Sequence, residues 1–442
     1  MDRSLEFPRA ILHVDGDSFF VSCELTCRPW LRGKPTVTGG ERGIVTAASP
    51  EAKALGVTRS MPIFQVRKRY PQVIILPSDY RMYTQYAQRM YGIVRRYARE
   101  VEEYSIDECF ADLTGLAEAR GTTYEALARE IQAELMRSLD LSFSVGVGVN
   151  KCTAKIASKW KKPHGLTVMP RSAIPAFLAE LPIGKVWGIG RATTMHLSKL
   201  GIATALDLAR KDRAWVAEHC DRPLAEIYEE FQGNFVKELS GGGGGDLASG
   251  WGIAGGGRAD GPASIQRTRT FHPVTRDRAF LWSQISYHVE DACMRLRSKG
   301  LVASQVGFFL KTQEFEYLRA EAMIPDSSAA PHEILRAIEP VFEEMWEKIK
   351  SWEGVLFRAA GISLRSLSGD QAKTNTGTLF AAPVKHRAAT KLHQTVDKLA
   401  RKFGKHSVFL GSSFRALKSD GDLDAPTGTD RALDVICLGE VR

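Results

Sequence analysis

Nowhere in these 442 residues do two cysteines form a Cys-x-x-Cys pair, and no apolar run approaches the roughly 20 residues a membrane-spanning helix needs. The seven cysteines (23, 27, 109, 152, 220, 293 and 437) are scattered and odd in number. Cys23 and Cys27 lie one helical turn apart and are expected to face a core. This pattern argues against structural zinc and for a reducing compartment. The first residues enter a strand with no apolar h-region before it, so a soluble cytoplasmic protein without membrane contact is expected. An acidic excess is missing too: 60 Lys+Arg against 51 Asp+Glu give a formal net charge of +9. That balance suits a polyanionic partner without identifying one. The length suggests about three domains on a prior of roughly 150 residues each.

What is present centres on Tyr104-Ser105-Ile106-Asp107-Glu108-Cys109-Phe110-Ala111-Asp112-Leu113. Its alternation reads as two strands of a hairpin with Asp107-Glu108 at the tip. Neighbouring residues on a regular strand point to opposite faces, so both carboxylates reach one ion only if the backbone turns or bulges there. Upstream, the apolar run Ala10–Val14 ends on Asp15-Gly16-Asp17 and leads into Phe19-Phe20. If the two strands are sheet neighbours, Asp15, Asp107 and Glu108 converge. Either acidic piece alone reads most simply as a solvated turn. Three converging carboxylates repel one another unless a cation is present, and a hard ion such as Mg2+ favours oxygen ligands and substrate phosphates.

Along the chain, Phe19 to Trp30 reads as a helix, and Lys34–Thr38 and Ile44–Ala47 as strands joined by a glycine turn. A long helix is expected over Asp79–Arg99, with Met82, Tyr86, Met90, Ile93 and Tyr97 as its core stripe. A helix over Thr122–Ser138 and a strand over Leu141–Val149 complete an order that suits a ferredoxin-like palm. Residues 151–165 carry five lysines and no acid, a counter-charge for phosphates. Two short helices joined at Gly188-Ile189-Gly190 form a helix-hairpin-helix pattern whose turn lets backbone N–H groups approach phosphate. Residues 240–263 hold 11 glycines in 24 positions. They read as a flexible tether spanning roughly 25–30 Å. Beyond it, Ser264–Phe271 alternates basic and polar residues as an edge strand would. A helix over Arg278–Lys299, a strand over Ser304–Thr312, a helix over Pro331–Ile349 and a strand over Leu356–Leu364 follow. Residues 385–405, with seven Lys/Arg and one Asp, predict a basic amphipathic helix with Leu392, Val396, Leu399 and Phe403 as its apolar stripe.

The motifs His-Val-Asp-Gly-Asp-Ser-Phe-Phe (13–20) and Tyr-Ser-Ile-Asp-Glu-Cys-Phe-Ala-Asp-Leu-Thr-Gly (104–115) closely resemble those of the Y-family lesion-bypass DNA polymerases, bacterial DinB/UmuC branch. The resemblance extends over most of the chain. It implies an α+β multidomain, right-hand polymerase: a ferredoxin-like palm (1–30 and 79–170), small fingers (31–78), a helical helix-hairpin-helix thumb (171–239), a Gly-rich linker (240–263), an α+β little finger (264–366) and a C-terminal tail (367–442). The implied activity is template-directed addition of dNTPs to a primer 3′-hydroxyl, damage tolerant and of low fidelity, using two Mg2+ ions.

By that resemblance Asp15, Asp107 and Glu108 are the catalytic metal ligands with the Gly16 carbonyl, and Asp17 is structural. Phe20 is the steric gate against a ribose 2′-hydroxyl. Lys53 and Lys162 hold the triphosphate, although Pro50 stands where many relatives place a phosphate-touching Tyr. DNA contacts are expected from Lys155, Gly188, Gly190 and Arg191, and from Arg267 and Arg269 in the little finger. The linker departs from the shorter, more basic family form. Thr378-Leu379-Phe380 is similar to the family's sliding-clamp peptide but lacks its leading Gln. The tail, read as a helix and then a strand over Ser407–Leu410, leans towards UmuC. The implied partners are primer-template DNA and dNTP, with the sliding clamp and SOS accessory proteins beyond them. The rivals are a non-catalytic DNA-binding accessory, which retention of the three carboxylates opposes, and a palm-bearing nucleotide cyclase, which would have no use for the helix-hairpin-helix.

Overall fold

The computed structural model describes residues 6–239, 264–352, 354–369 and 384–419. The chain divides into two compact units, Met1–Gly256 and Gly257–Arg442. The glycine-rich segment 240–263 and Thr378-Leu379-Phe380 lie outside the described residues.

The first unit opens with β1 (Ile11–Gly16), buried along its whole length, and the Phe19–Cys27 helix, which ends before a 3-10 turn at Pro29–Leu31. A small sheet follows, built from β2 (Thr36–Thr38), β3 (Ala47–Ala48) and β4 (Ile74–Leu76) in the order β3-β2-β4. The expected strand over Ile44–Ala47 is thus confined to its end, and Ile44 makes only an isolated bridge to Pro62. Strand β4, parallel to β2, has three residues and no turn signal to mark it. Between them the Pro50–Ala54 helix starts on Ser49, whose hydroxyl accepts from Ala52 N–H at 3.2 Å. Pro50 is then the first helical residue, where its missing N–H leaves no intrahelical bond unmade.

The Tyr80–Val94 helix begins on its cap Asp79, which accepts from Met82 N–H at 3.0 Å. Its buried face is Tyr83, Ala87, Met90, Tyr91, Ile93 and Val94. Of the expected stripe, Met90 and Ile93 are inside, while Met82, Tyr86 and Tyr97 are only partly buried at the rim. The helix is rotated because Tyr83 carries its hydroxyl inward to Glu24, 2.6 Å away, so a residue that reads as half-polar occupies the core.

Next come β5 (Val101–Ser105), β6 (Glu108–Asp112), the Tyr124–Leu139 helix, β7 (Phe143–Gly148), the Lys151–Trp160 helix and β8 (Leu166–Val168). The sheet order is β5-β6-β1-β7-β8, antiparallel except for β7 with β8. Leu12, Val14, Ala111, Val145 and Val147 form one core with the helices at 19–27, 80–94 and 124–139. The other face receives the Lys151–Trp160 helix, and β7 has glycine where that helix lands. A Cβ on Gly146 would lie 2.2 Å from Ser158 N and 2.3 Å from Ala154 O. Strand alternation therefore puts Ile11, His13 and Asp15 under the lysine-bearing helix.

A helical region completes the unit, with helices Ile174–Glu180, Arg191–Lys199, Ala205–Ala209, Arg213–His219 and Arg222–Phe231 around a core that includes Ile183, Ile189, Leu197 and Ile227. The first arm of the expected helix-hairpin-helix is a single 3-10 turn, Ile183–Lys185.

In the second unit β9 (Ser264–Thr275), β10 (Leu301–Thr312), β11 (Tyr317–Ser328) and β12 (Phe357–Gly369) form an antiparallel sheet in the order β11-β10-β12-β9. The helices Arg278–Ser298 and Pro331–Ile349 cover one face. Strand β9 is an edge, as its alternation predicts. Strand β11 is the other edge; its inward residues include Ala320 and Ala322, too small to give an alternating signal. The Val384–Phe403 helix forms where the basic stretch predicts it. Its stripe is only partly used: Val396 and Leu399 are half-buried, while Leu392 and Phe403 are exposed. Ser407–Leu410 is not a strand. Its Leu410 N–H donates to Glu290 at 3.0 Å, so the run is held by a helix side chain instead of a sheet ladder.

Candidate active site

The sheet register brings the acids together. Asp15 and Glu108 are direct partners on β1 and β6, and Gly16 N–H donates to the Asp107 carbonyl at 2.9 Å. Asp107 sits in the two-residue turn between β5 and β6, and the ladder slips between Glu103 and Ser105. This is the distortion that adjacent carboxylates need. Ser105 Oγ donates to Asp107 Oδ1 at 2.5 Å and fixes its rotamer.

Two of these acids each face a lysine. Lys162 Nζ is 2.5 Å from Asp15 Oδ1 and 3.7 Å from Asp17 Oδ1, and Lys155 Nζ is 2.5 Å from Glu108 Oε2. Burial pushes Asp15 up to about 7, against the pull of Lys162 and with a further push from Glu108 and Asp107. Burial and Glu108 likewise raise Asp107. Glu108 is also buried, yet its carboxyl is held below the usual range by cationic neighbours. Of these, His13 is uncharged at neutral pH because full burial drives its imidazole well below its ordinary value. Lys155, which also hydrogen-bonds to it, and Lys159 are therefore the cations that hold Glu108 ionised.

His13 lies beneath Glu108 with Nε2 3.9 Å from Oε2. Its Nδ1 meets Ser158 Oγ at 2.7 Å, and that hydroxyl donates to the Lys155 carbonyl at 3.0 Å. The serine proton is thus used, so His13 donates through Nδ1 and turns a bare Nε2 towards Glu108. That nitrogen has no hydrogen-bond partner. Two acceptors face each other there, a contact that becomes favourable only with a cation or proton between them.

Beyond its 3.7 Å approach to Lys162, Asp17 is held by hydrogen bonds. Its carboxylate accepts from Ser142 Oγ, Ser144 Oγ and His164 N–H at 2.7, 2.8 and 2.8 Å. It ties the Lys162–Gly165 loop to β7. Phe20, half-buried, stacks on Tyr83 with ring centroids 4.6 Å apart and 11° between planes, and Tyr80 meets it edge-on at 5.4 Å. Phe19 is buried core. Lys53 Nζ reaches Ser18 Oγ at 2.7 Å, and burial together with Lys162 lowers its pKa. Two ammonium groups, Lys53 and Lys162, therefore gather beside the acids, an arrangement suited to a polyphosphate.

All the clustered ligand candidates are oxygen donors, the set that hard divalent cations prefer. Among the described residues, no three His, Cys, Asp or Glu side chains already surround one ion position. Asp15 and Glu108 are instead turned onto lysines, which stand where cationic charge is needed. The donor set fits Mg2+ once those two carboxylates leave their lysines.

The expected DNA contacts divide. Gly188, at φ +90°, makes the bend that a side-chain-bearing residue would adopt only under strain. Gly190 and Arg191 are exposed, and the Arg191–Lys199 helix starts with no side-chain cap on its first N–H groups. Lys155, by contrast, is 4% exposed and committed to Glu108, so it offers nothing to a DNA backbone. Arg267 and Arg269 alternate with the exposed Gln266, Thr268 and Thr270 and turn to the helix side of their sheet. There Arg267 pairs with Asp291, and Arg269 lies over the Tyr287 ring at 5.9 Å.

Sequence reasoning also passed over Trp187. Its indole N–H donates to Tyr104 Oη at 3.0 Å, and its ring lies 5.0 Å from Lys155 Nζ. A tryptophan inside a glycine turn was the available signal, since a mere bend does not require so large a ring.

Residues 14–159 match the impB/mucB/samB family, residues 262–379 its C-terminal domain, and residues 171–202 the IMS family HHH motif. A protein named DNA polymerase IV from Neisseria meningitidis serogroup B is 35% identical over 329 residues, covering 72% of this chain and 96% of the relative. Another DNA polymerase IV, from Dehalococcoides mccartyi, is 28% identical over 410 residues, 92% of this chain and 98% of the relative. Among solved structures, a Y-family DNA polymerase chimera of Dbh and Dpo4 superimposes with a TM-score of 0.66 at 24% identity, covering 81% of this chain and 98% of the other. An insertion ternary complex of Dbh DNA polymerase gives 0.51 at 23% identity over 80% and 98%.

Proposed function

This chain belongs to the impB/mucB/samB family and is a translesion DNA polymerase of the Y-family, and from that premise we propose how its residues perform template-directed dNTP addition. The observation that carries the reading is the register pairing of Asp15 with Glu108 beside Asp107, with Lys162 and Lys53 gathered at the same edge. Asp15, Asp107 and Glu108, with the Gly16 carbonyl, are the ligands for two Mg2+ ions. When bound, these ions lower the pKa of the primer 3′-hydroxyl and neutralise the triphosphate and the departing pyrophosphate.

The chain's own part is to bind and orient. Lys162 exchanges Asp15 for a phosphate oxygen, and Lys53 approaches the same triphosphate from the small sheet. Asp17 keeps the Lys162 loop in reach. Phe20, held flat by Tyr83, bars a 2′-hydroxyl. The first N–H groups of the Arg191–Lys199 helix, presented by Gly188 and Gly190, receive backbone phosphates of primer-template DNA. Residues 1–30 and 79–170 act as palm, 31–78 as fingers, 171–239 as thumb and 264–366 as little finger. Gly43 and Ala47 press only lightly on the nascent pair, which favours damage tolerance over fidelity, whereas Ala48 and Ser49 are buried at the small sheet. The sliding clamp, approached through Thr378-Leu379-Phe380, and SOS accessory proteins are the further partners, and the cytoplasm is the place of action.

Primer extension on undamaged and abasic templates with Mg2+, comparing wild type with Asp107→Ala/Glu108→Ala, tests the reading. Short dNTP addition that vanishes in the double variant is expected. Equal extension by both proteins, or none by either with intact DNA binding, would overturn it.

A further inference from the structure

Lys155 is the least expected member of the site. Its ammonium is taken out of water between the Glu108 carboxylate and three aromatic rings: Tyr104 at 4.2 Å, Trp187 at 5.0 Å and Phe110 at 5.9 Å. The Glu108 carboxylate, 2.5 Å away, is the anion that faces this buried ammonium. The box is built by two regions of the first unit. Tyr104 and Phe110 belong to the hairpin that carries Asp107 and Glu108. Trp187 belongs to the turn that carries Gly188 and Gly190, and it meets Tyr104 edge-on at 5.4 Å as well as by its hydrogen bond. Lys237 Nζ also lies over the indole, 4.6 Å from its centroid.

We infer that Lys155 is an internal counter-ion that Glu108 gives up when a divalent cation binds, and that Trp187 is a positioning residue that sets how firmly Lys155 holds Glu108 back. An ammonium 2.5 Å from Glu108 Oε2 takes up carboxylate charge that a divalent cation beside Asp15 needs, and it repels that cation, so the two partners compete. The aromatic faces attract the ammonium in its buried position and so favour the metal-free pairing. When Glu108 turns away, Lys155 is left with the rings alone, and the change in charge is felt first at Trp187. The thumb turn thus senses whether the carboxylate is engaged. The inference rests on Asp15, Asp107 and Glu108 being the cation ligands.

The test measures Mn2+ binding to the full-length protein by the loss of the free-ion paramagnetic resonance signal, without DNA or nucleotide and therefore without turnover. Lys155→Met removes the competitor and is expected to bind Mn2+ roughly tenfold more tightly than wild type. Lys155→Arg, which keeps the charge, should stay near wild type, and Trp187→Ala should move the affinity in the direction of Lys155→Met by a smaller factor. In parallel the eight tryptophans are replaced by 5-fluorotryptophan and the Trp187 resonance is assigned by its loss in Trp187→Phe. Mg2+ should shift that resonance in wild type and leave it in place in Lys155→Met. Mn2+ binding in Lys155→Met that is unchanged or weaker, or a Trp187 signal blind to Mg2+, overturns the inference while leaving the polymerase reading intact. Undiminished Mn2+ binding by Asp107→Ala/Glu108→Ala overturns the ligand assignment and the inference with it.

Discussion

Asp17 offers the sharpest separation of scaffold from chemistry, because it sits two residues from Asp15 and does a different job. It is 7% exposed and accepts three hydrogen bonds, from two serine hydroxyls and one backbone N–H. In Asp17→Ala the two hydroxyls can rotate towards other acceptors, but the His164 N–H cannot, and each buried donor left unmade costs about 1–3 kcal/mol. The loss of stability comes to at most about 3 kcal/mol, or about 8 °C in the melting temperature of a unit of this size. Asp17→Asn can keep its oxygen where Oδ2 accepts from Ser142 and His164, and it can turn its amide to Ser144, whose hydroxyl also accepts. The cost should fall to about 1–2 kcal/mol. Urea unfolding followed by tryptophan fluorescence measures both. Because His164 N–H anchors the Lys162 loop, Asp17→Ala should also raise KM for dNTP more than it lowers kcat. Equal damage from Ala and Asn, or an Ala variant within about 1 kcal/mol of wild type, would refute the reasoning, since the argument rests on counted donors.

Three other outcomes follow from the geometry. Phe20→Ala removes the ring that Tyr83 holds flat, and steady-state incorporation should show discrimination against rNTP falling roughly tenfold or more, with dNTP addition retained. Asp15 is raised from 3.8 to about 7 in the folded chain. A group raised in this way stabilises fully below its unfolded pKa, and the contribution is lost as pH climbs through the folded value. Cation-free wild type should therefore lose stability between about pH 4 and pH 7 relative to Asp15→Asn, read from urea midpoints across that window. Gly146→Ala drives a methyl into the Ser158 and Ala154 backbone and lifts the Lys151–Trp160 helix from the sheet. A loss of about 3 kcal/mol is expected, with Lys155 and Glu108 no longer aligned.

The convergence of Asp15, Asp107 and Glu108 was legible because short-range rules sufficed: two apolar runs ending in acids, and a turn between two alternating strands. Phe20 was read at the site through the family resemblance, and the structure sets it half-buried against Tyr83. The short-range rules failed where burial of a polar side chain decided the outcome. Lysines at 151–165 read as a counter-charge for phosphates, yet Lys151 pairs with Glu102 at 2.6 Å and Lys155 with Glu108, both out of water. Alternation in Gln266–Thr270 showed that Arg267 and Arg269 share a face, but not that the shared face is the one under a helix bearing Asp291. Strands β4 and β11 escaped for lack of signal, one being three residues long and the other facing inward partly through alanines. Tyr83 looked amphipathic and is fully buried because Glu24 receives its hydroxyl.

The ladder that makes Asp15 and Glu108 opposite partners has an implication for how the enzyme comes into being. Successive residues of a strand face opposite ways, so a slip of one position along β6 would send Glu108 into the apolar core and set Cys109 opposite Asp15. The distance between the carboxylates is dictated by main-chain hydrogen bonds, not by any affinity for a metal. Chains that finish with the wrong pairing are therefore inert as well as unstable. Correct assembly of the sheet is the event that sets the two acids face to face.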